Sequence, residues 1–198
     1  MVSQQVLTFA HGVSYMQPLR FREEKTTQAA ARFLRAKGGR MPYISLLKLL
    51  YFADRRALAE LGRPISHDLF VSMPHGPVLS RTLDLITAEP DRGPASYWRQ
   101  YISEPENYDV RLLRDAPNDQ LSQAEEAILD AVFREVGHLS RWQLVERSHQ
   151  LPEWRDPQGS SVPIDLLSIL MEQGVTREDA EAIVGDLVAE DAVDSLRA

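Results

Sequence analysis

Between residues 43 and 61 the chain reads YISLLKLLYFADRRALAEL, with apolar side chains at Ile44, Leu46, Leu47, Leu49, Leu50, Tyr51, Phe52 and Ala53. A helix that is apolar nearly all round is one surrounded by other elements, so this segment is expected to be the central core helix. Gly62 is its stop, with Arg63 and Pro64 continuing as loop. Ahead of it, 22–37 has Ala29, Ala30, Phe33 and Leu34 on one side of a helix that ends at Gly38-Gly39, leaving a basic outer side. Behind it, 69–73 alternates like a short strand, and Pro77 suits the first turn of a helix running to about Ala88. Pro90, Pro94, Pro105 and Pro117 then mark a non-helical stretch. Two candidate strands in it, 97–102 and 108–113, flank the loop SEPEN and suggest a hairpin joining the earlier strand.

Helical periodicity resumes at Ser122. Ser122 with Glu125, and Ser140 with Gln143, have the spacing of capping boxes, and the second opens a helix through about His149. Two more helices are expected, over 164–173 and 176–191, the latter opened by Thr176 and Asp179 with an apolar stripe of Ile183, Val184, Leu187 and Val188. The pattern as a whole predicts a mainly α (α+β) fold. It is a compact helical domain with a small antiparallel sheet or hairpin and a C-terminal helical extension.

Charge changes this picture at one end only. The first 158 residues carry 20 basic and 20 acidic side chains, whereas the last 40 carry nine acidic and two basic, so the whole net charge of −7 is C-terminal. A neutral body lacks the basic footprint that draws a protein to phosphate backbones, which makes nucleic acid an unfavoured partner. The acidic helix is expected to be a solvated face, a docking segment for a basic protein or a contact between two copies. Without cysteine the chain has no disulfide or thiolate chemistry, which fits a cytoplasmic setting. It also lacks an apolar run suited to a membrane span.

The candidate chemistry is sparse. His75-Gly76-Pro77 is a turn that can begin a helix, or a ring of backbone N–H groups and an imidazole around an anion. His67, Asp68, His75 and His11 lack the one-turn spacing of strong metal motifs, and the histidines read as surface or turn residues bonded to backbone. Lys48, Tyr51 and Asp54 follow one another along the central helix; an ion pair at the core edge is the simpler account of them, a perturbed pair in an enzyme pocket the other. The 122–150 pair has the outline of a helix-turn-helix, but its second helix mixes Arg141, Gln143 and Arg147 with Glu146, Trp142, Leu144 and Val145. Trp154 is expected to plug the core.

Three segments in order, LLKLLYFADRRALAELGRPISHDLF, SMPHGPVLSRTLDLI and LVERSHQLPEW, together resemble the Panacea domain of SocA-like antitoxins and phage-associated GepA-like proteins. The family pattern of a Lys-Leu-Leu-Tyr helix, a Gly-Pro-Val helix start and a Ser-His before a tryptophan falls on Lys48 to Tyr51, Gly76 to Val78, Ser148-His149 and Trp154. The resemblance implies a domain over 1–157 with its core at about 27–157, followed by the acidic extension 158–198. It implies an antitoxin of a bacterial or phage toxin–antitoxin pair, acting by direct binding to a cognate protein toxin, with no catalytic residue and no cofactor. Lys48, Tyr51, Asp54, His75, Gly76, Pro77, Ser148, His149 and Trp154 are then structural or toxin-facing. A ClpXP-type protease and a second copy of the chain are further partner candidates. The alternatives are a transcriptional regulator working through 122–150 and an enzyme using Lys48, Asp54 and His75.

Overall fold

The computed structural model describes residues 19–88 and 96–196; His11, Pro90 and Pro94 lie outside them. Helix α1 (Glu23–Ala36) begins with Glu23 and Glu24, where the helix dipole favours negative charge, and buries Ala29, Ala30, Phe33 and Leu34. After strand β1 (Arg40–Pro42) comes α2 (Tyr43–Leu61), buried through most of its length and stopped by Gly62 in the left-handed conformation, φ 71°. Residues of α1, α4 (Gln123–Val136) and α5 (Arg141–His149) share one hydrophobic cluster with it, as the all-round apolar pattern requires. Both capping boxes form: Ser122 caps α4 with Glu125, and Ser140 caps α5 with Gln143. Such a cap contributes about 1 kcal/mol.

The basic side of α1 is not a free surface. Lys25 pairs with Glu125 at 2.9 Å, Arg32 with Glu126 at 3.2 Å and Asp130 at 2.7 Å, and Arg35 with Asp115 at 3.2 Å. Lys37 donates to the Gly137 carbonyl at 2.7 Å. The neutrality of the body is therefore local as well as global, with the acidic stripe of α4 lying along the basic stripe of α1.

The β structure differs from the sequence expectation in three respects. Gly-Pro-Val opens a strand rather than a helix: β2 (Phe70–Ser72) turns back into β3 (Val78–Leu79), and α3 (Ser80–Thr87) starts only afterwards. Of the predicted strand at 97–102 most is a 3-10 turn at Trp98–Gln100, which sinks Trp98 into the core, and only its end keeps the expected hairpin pairing, Ile102 bridging antiparallel to Leu112. Its neighbour, β4 (Asp109–Arg111), pairs with β1 in a two-stranded ribbon and does not join β2. The turn entering β4 is shorter than SEPEN. Glu106 and Asp109 exchange two backbone bonds of 2.8 and 3.0 Å around Asn107 and Tyr108, whose φ values of 53° and 67° mark the mirror-image turn favoured in two-residue hairpins. Tyr108 accepts that backbone while stacking on Tyr43, ring centroids 6.5 Å apart.

Past 157 the chain returns to the body. Strand β5 (Val162–Pro163) adds to β2 as its second neighbour, giving the order β3-β2-β5. Helix α6 (Leu166–Glu172), capped by Asp165, and α7 (Arg177–Leu196), opened by Thr176 and Asp179, place Ile169, Leu170, Ala180 and Val184 in the same cluster as α2. The acidic helix ends five residues beyond the expected position. Its Asp191 accepts the Arg20 N–H at 2.9 Å, and its Asp194 pairs with Arg22 at 2.7 Å. No helix among the described residues is long and apolar enough to cross a membrane.

Candidate functional site

The stretch MPHGPV is the β2–β3 turn, closed by the Gly76 N–H donating to the Met73 carbonyl at 2.9 Å. Gly76 has φ 84°, and a Cβ there would stand 2.8 Å from Lys48 Nζ and 3.1 Å from His149 Cδ2 while colliding with Ser148 Oγ. Glycine is thus demanded twice, by its dihedral and by what surrounds it. The three segments that are far apart in sequence meet at this one residue.

Lys48 comes from α2 and is wholly buried, at 0% exposure. Its ammonium donates to the Pro77 carbonyl at 2.7 Å, and no carboxylate lies within ion-pair distance of it among the described residues. Burial pushes its pKa down to about 7. Ser148, in the last turn of α5, is buried too, and its hydroxyl donates to the Val145 carbonyl at 2.7 Å. His149 stacks on Trp154, centroids 4.2 Å apart at 24°, and its Nε2 is buried without a hydrogen-bond partner. Trp154 in turn donates its indole N–H to the Met73 carbonyl at 3.1 Å, and the Arg155 N–H reaches Ser72 Oγ at 3.3 Å. Trp154 is half-buried and braces the turn from outside; the tryptophan that plugs the core is Trp98.

Six of the nine residues singled out in the sequence therefore converge: Lys48, Gly76, Pro77, Ser148, His149 and Trp154. Tyr51 supports them at one remove. Its hydroxyl donates to Glu153 at 3.1 Å, and Arg55 grips the same carboxylate at 2.6 and 3.2 Å, anchoring the residue next to Trp154. Asp54 does not join Lys48, and the expected core-edge ion pair is absent. Its carboxylate faces the 64–68 loop, accepting the N–H groups of Ile65 at 2.9 Å and Ser66 at 3.1 Å and the Ser66 hydroxyl. Burial raises its pKa to about 7.

His75 stands exposed at the tip of the turn, edge-on to Trp142 with centroids 6.2 Å apart. His67 is elsewhere and is not the backbone-bonded surface residue expected. It is buried at φ 53° with its Nδ1 3.4 Å from Asp191 Oδ1, and burial followed by the Arg22 charge lowers its pKa. Asp68 caps α3 by accepting the Arg81 and Thr82 N–H groups, each at 2.8 Å, and the Thr82 hydroxyl at 2.7 Å. No group of three His, Cys, Asp or Glu side chains among the described residues is placed to hold a metal ion. Sequence reasoning passed over Glu153, which is buried, and named Trp142 only as an apolar residue of the second helix, where it is exposed. For Trp142 a signal existed: two residues before Leu144, it lies off the Leu144–Ser148 stripe that α5 buries.

In chemical terms the cluster leaves one buried group open, His149 Nε2. The one hydroxyl is committed to a helix carbonyl, the one amine to a turn carbonyl, and both lie beneath the surface. They lie beneath the β2–β3 turn, at whose tip Pro74 and His75 are exposed. A family model described as "Antitoxin SocA-like, Panacea domain" matches residues 46–155, more than half of the chain and the span that contains every residue of this cluster. No curated protein and no solved structure matches the chain.

Proposed function

We propose, from the premise that the chain belongs to the antitoxin SocA-like, Panacea domain family, that it is an antitoxin that neutralises a protein toxin by binding it directly and covering its working surface. The observation that carries this reading is the buried cluster packed beneath the turn at Gly76. Lys48, Ser148 and His149 are arranged to fix a surface turn, with the hydroxyl and the amine already engaged, which suits a protein that presents a shape rather than one that transforms a substrate. A protein partner is favoured over nucleic acid by charge. The basic side of α1 is paired with α4, Arg147 of α5 lies near Glu135 at 3.8 Å, and α7 turns Glu178, Asp179, Asp186 and Glu190 to solvent, where they repel phosphate.

Co-expression with the protein encoded by the adjoining reading frame tests the reading. Restored growth together with a stoichiometric complex is expected; neither rescue nor complex overturns it. Ser148→Ala separates this reading from an enzymatic one in which the buried hydroxyl beside Lys48 is the reacting group. Removing the hydroxyl costs stability on the order of 1 kcal/mol and leaves rescue intact if the protein acts by binding, whereas an enzyme relying on Ser148 loses rescue in a folded variant.

A further inference from the structure

Trp142 is 57% exposed at the start of α5, while the core-facing side of that helix is supplied by Leu144, Val145 and Ser148. Nothing in the fold requires an indole there, since a polar helix former would serve α5 as well and leave less apolar surface in water. Its setting is nonetheless fixed. The His75 ring meets it edge-on, and the Arg141 guanidinium lies 5.0 Å from its ring centroid. His75 is held by the Gly76 turn, so the buried machinery of Lys48, His149 and Trp154 ends by setting one imidazole against one indole.

The charges around this point are uneven. Among the described residues Arg141 has no carboxylate partner, in contrast to Arg32, Arg55 and Arg147, each of which has at least one. Beyond the turn Arg155 offers only its backbone N–H to Ser72, and its side chain is also without an acid. The acidic group nearest along α5 is Glu146, one turn on from Trp142 and likewise unpaired. A rigid aromatic flanked by a guanidinium lacking its own counter-ion is the composition that dominates protein interfaces, and preorganisation lowers the cost of using it.

Resting on the antitoxin reading, we infer that Trp142, flanked by Arg141 and His75, is the anchor that enters the toxin, and that the toxin receives it in an apolar pocket bordered by a carboxylate that pairs with Arg141. The occupant is thus the toxin, a protein with an acidic rim.

The test uses the full chain and the toxin encoded in the adjoining reading frame, with affinity measured at two salt concentrations. Trp142→Ala and Arg141→Glu are each expected to weaken binding at least tenfold while thermal unfolding stays near wild type. Arg141→Lys is expected to retain more affinity than Arg141→Glu. Tyr108→Ala and Leu113→Ala, at the other large exposed side chains of the β4 ribbon, are expected to change binding less than twofold. If the wild-type protein binds and neutralises the toxin and the Trp142 and Arg141 variants do so equally well, the anchor is refuted and the antitoxin reading stands. If the wild type binds no toxin, the antitoxin reading fails and the anchor with it. Self-association that is lost in Trp142→Ala, with toxin binding unchanged, overturns the assignment in favour of a contact between copies.

Discussion

The loop at 64–68 and the turn at 73–77 both lean on a buried ionisable side chain of α2, Asp54 in the first case and Lys48 in the second, and the protein equips them unequally. Asp54 receives two backbone N–H groups and a hydroxyl. Lys48 has a single carbonyl, and His149 beside it buries a ring nitrogen with no partner at all. Nearly all buried polar groups in folded proteins are satisfied, and those that are not concentrate where function tolerates the cost. The difference separates a loop whose buried carboxylate is fully partnered from a turn whose buried amine and imidazole are not.

Substitutions can break that contrast. Asp54→Ala strands three buried donors and is expected to cost the most, about 3–5 kcal/mol in chemical denaturation. Gly76→Ala follows at about 2–4 kcal/mol, because the side chain meets both an unfavourable φ and the Ser148 hydroxyl; retention of wild-type stability would mean that the turn is not tightly packed. Lys48→Met is expected to lie within about 1 kcal/mol of wild type at neutral pH, since exchanging an underpartnered buried charge for an apolar side chain of similar length offsets the lost bond to Pro77. Its effect should appear in toxin affinity, through a loosened turn, rather than in the unfolding midpoint.

The pH dependence sharpens the same comparison, with opposite signs. Asp54 keeps its proton up to about 7 in the folded state but only to 3.8 in the unfolded chain, so between those values the native state binds more protons and its contribution falls as pH rises. Lys48 releases its proton at about 7 when folded and at 10.5 when unfolded, so in that window the unfolded state binds more protons and the contribution of Lys48 rises with pH. Stability profiles of wild type against Asp54→Asn should therefore converge or cross between pH 4 and 7, whereas wild type should gain on Lys48→Met between pH 7 and 10. A parallel pair of curves in either window contradicts the corresponding assignment.

Most of the helices were legible because their signals are local. The all-round apolar run of α2, the Ser122 and Ser140 caps and the α7 stripe all act within a few residues. The strands were not, because at two or three residues they are too short to show a period, and their pairing is decided by distant partners: Val71 sits opposite both Val78 and Pro163. Pro77 suits a helix start as well as the strand it precedes, so composition alone could not distinguish them. Six of the site residues were recognisable as motif positions, yet nothing local says that they share a glycine. The mistaken Lys48–Asp54 pair was avoidable. Six residues on a helix is a turn and two-thirds, which sends the two side chains to different faces.

The second strand of the β3-β2-β5 sheet gains its last neighbour only from Val162 and Pro163, and the core receives Ile169, Leu170 and Val184 from later still. A chain growing from its N-terminus cannot complete this interior until the final helix has left the ribosome. Until then α2 has exposed apolar flanks and the β2 edge is unpaired, which makes the newborn protein prey for proteases and chaperones during its synthesis. A chain stopped before Val184 is therefore expected to lack part of its core and to be less stable than the full chain, which chemical denaturation of such a truncation would measure.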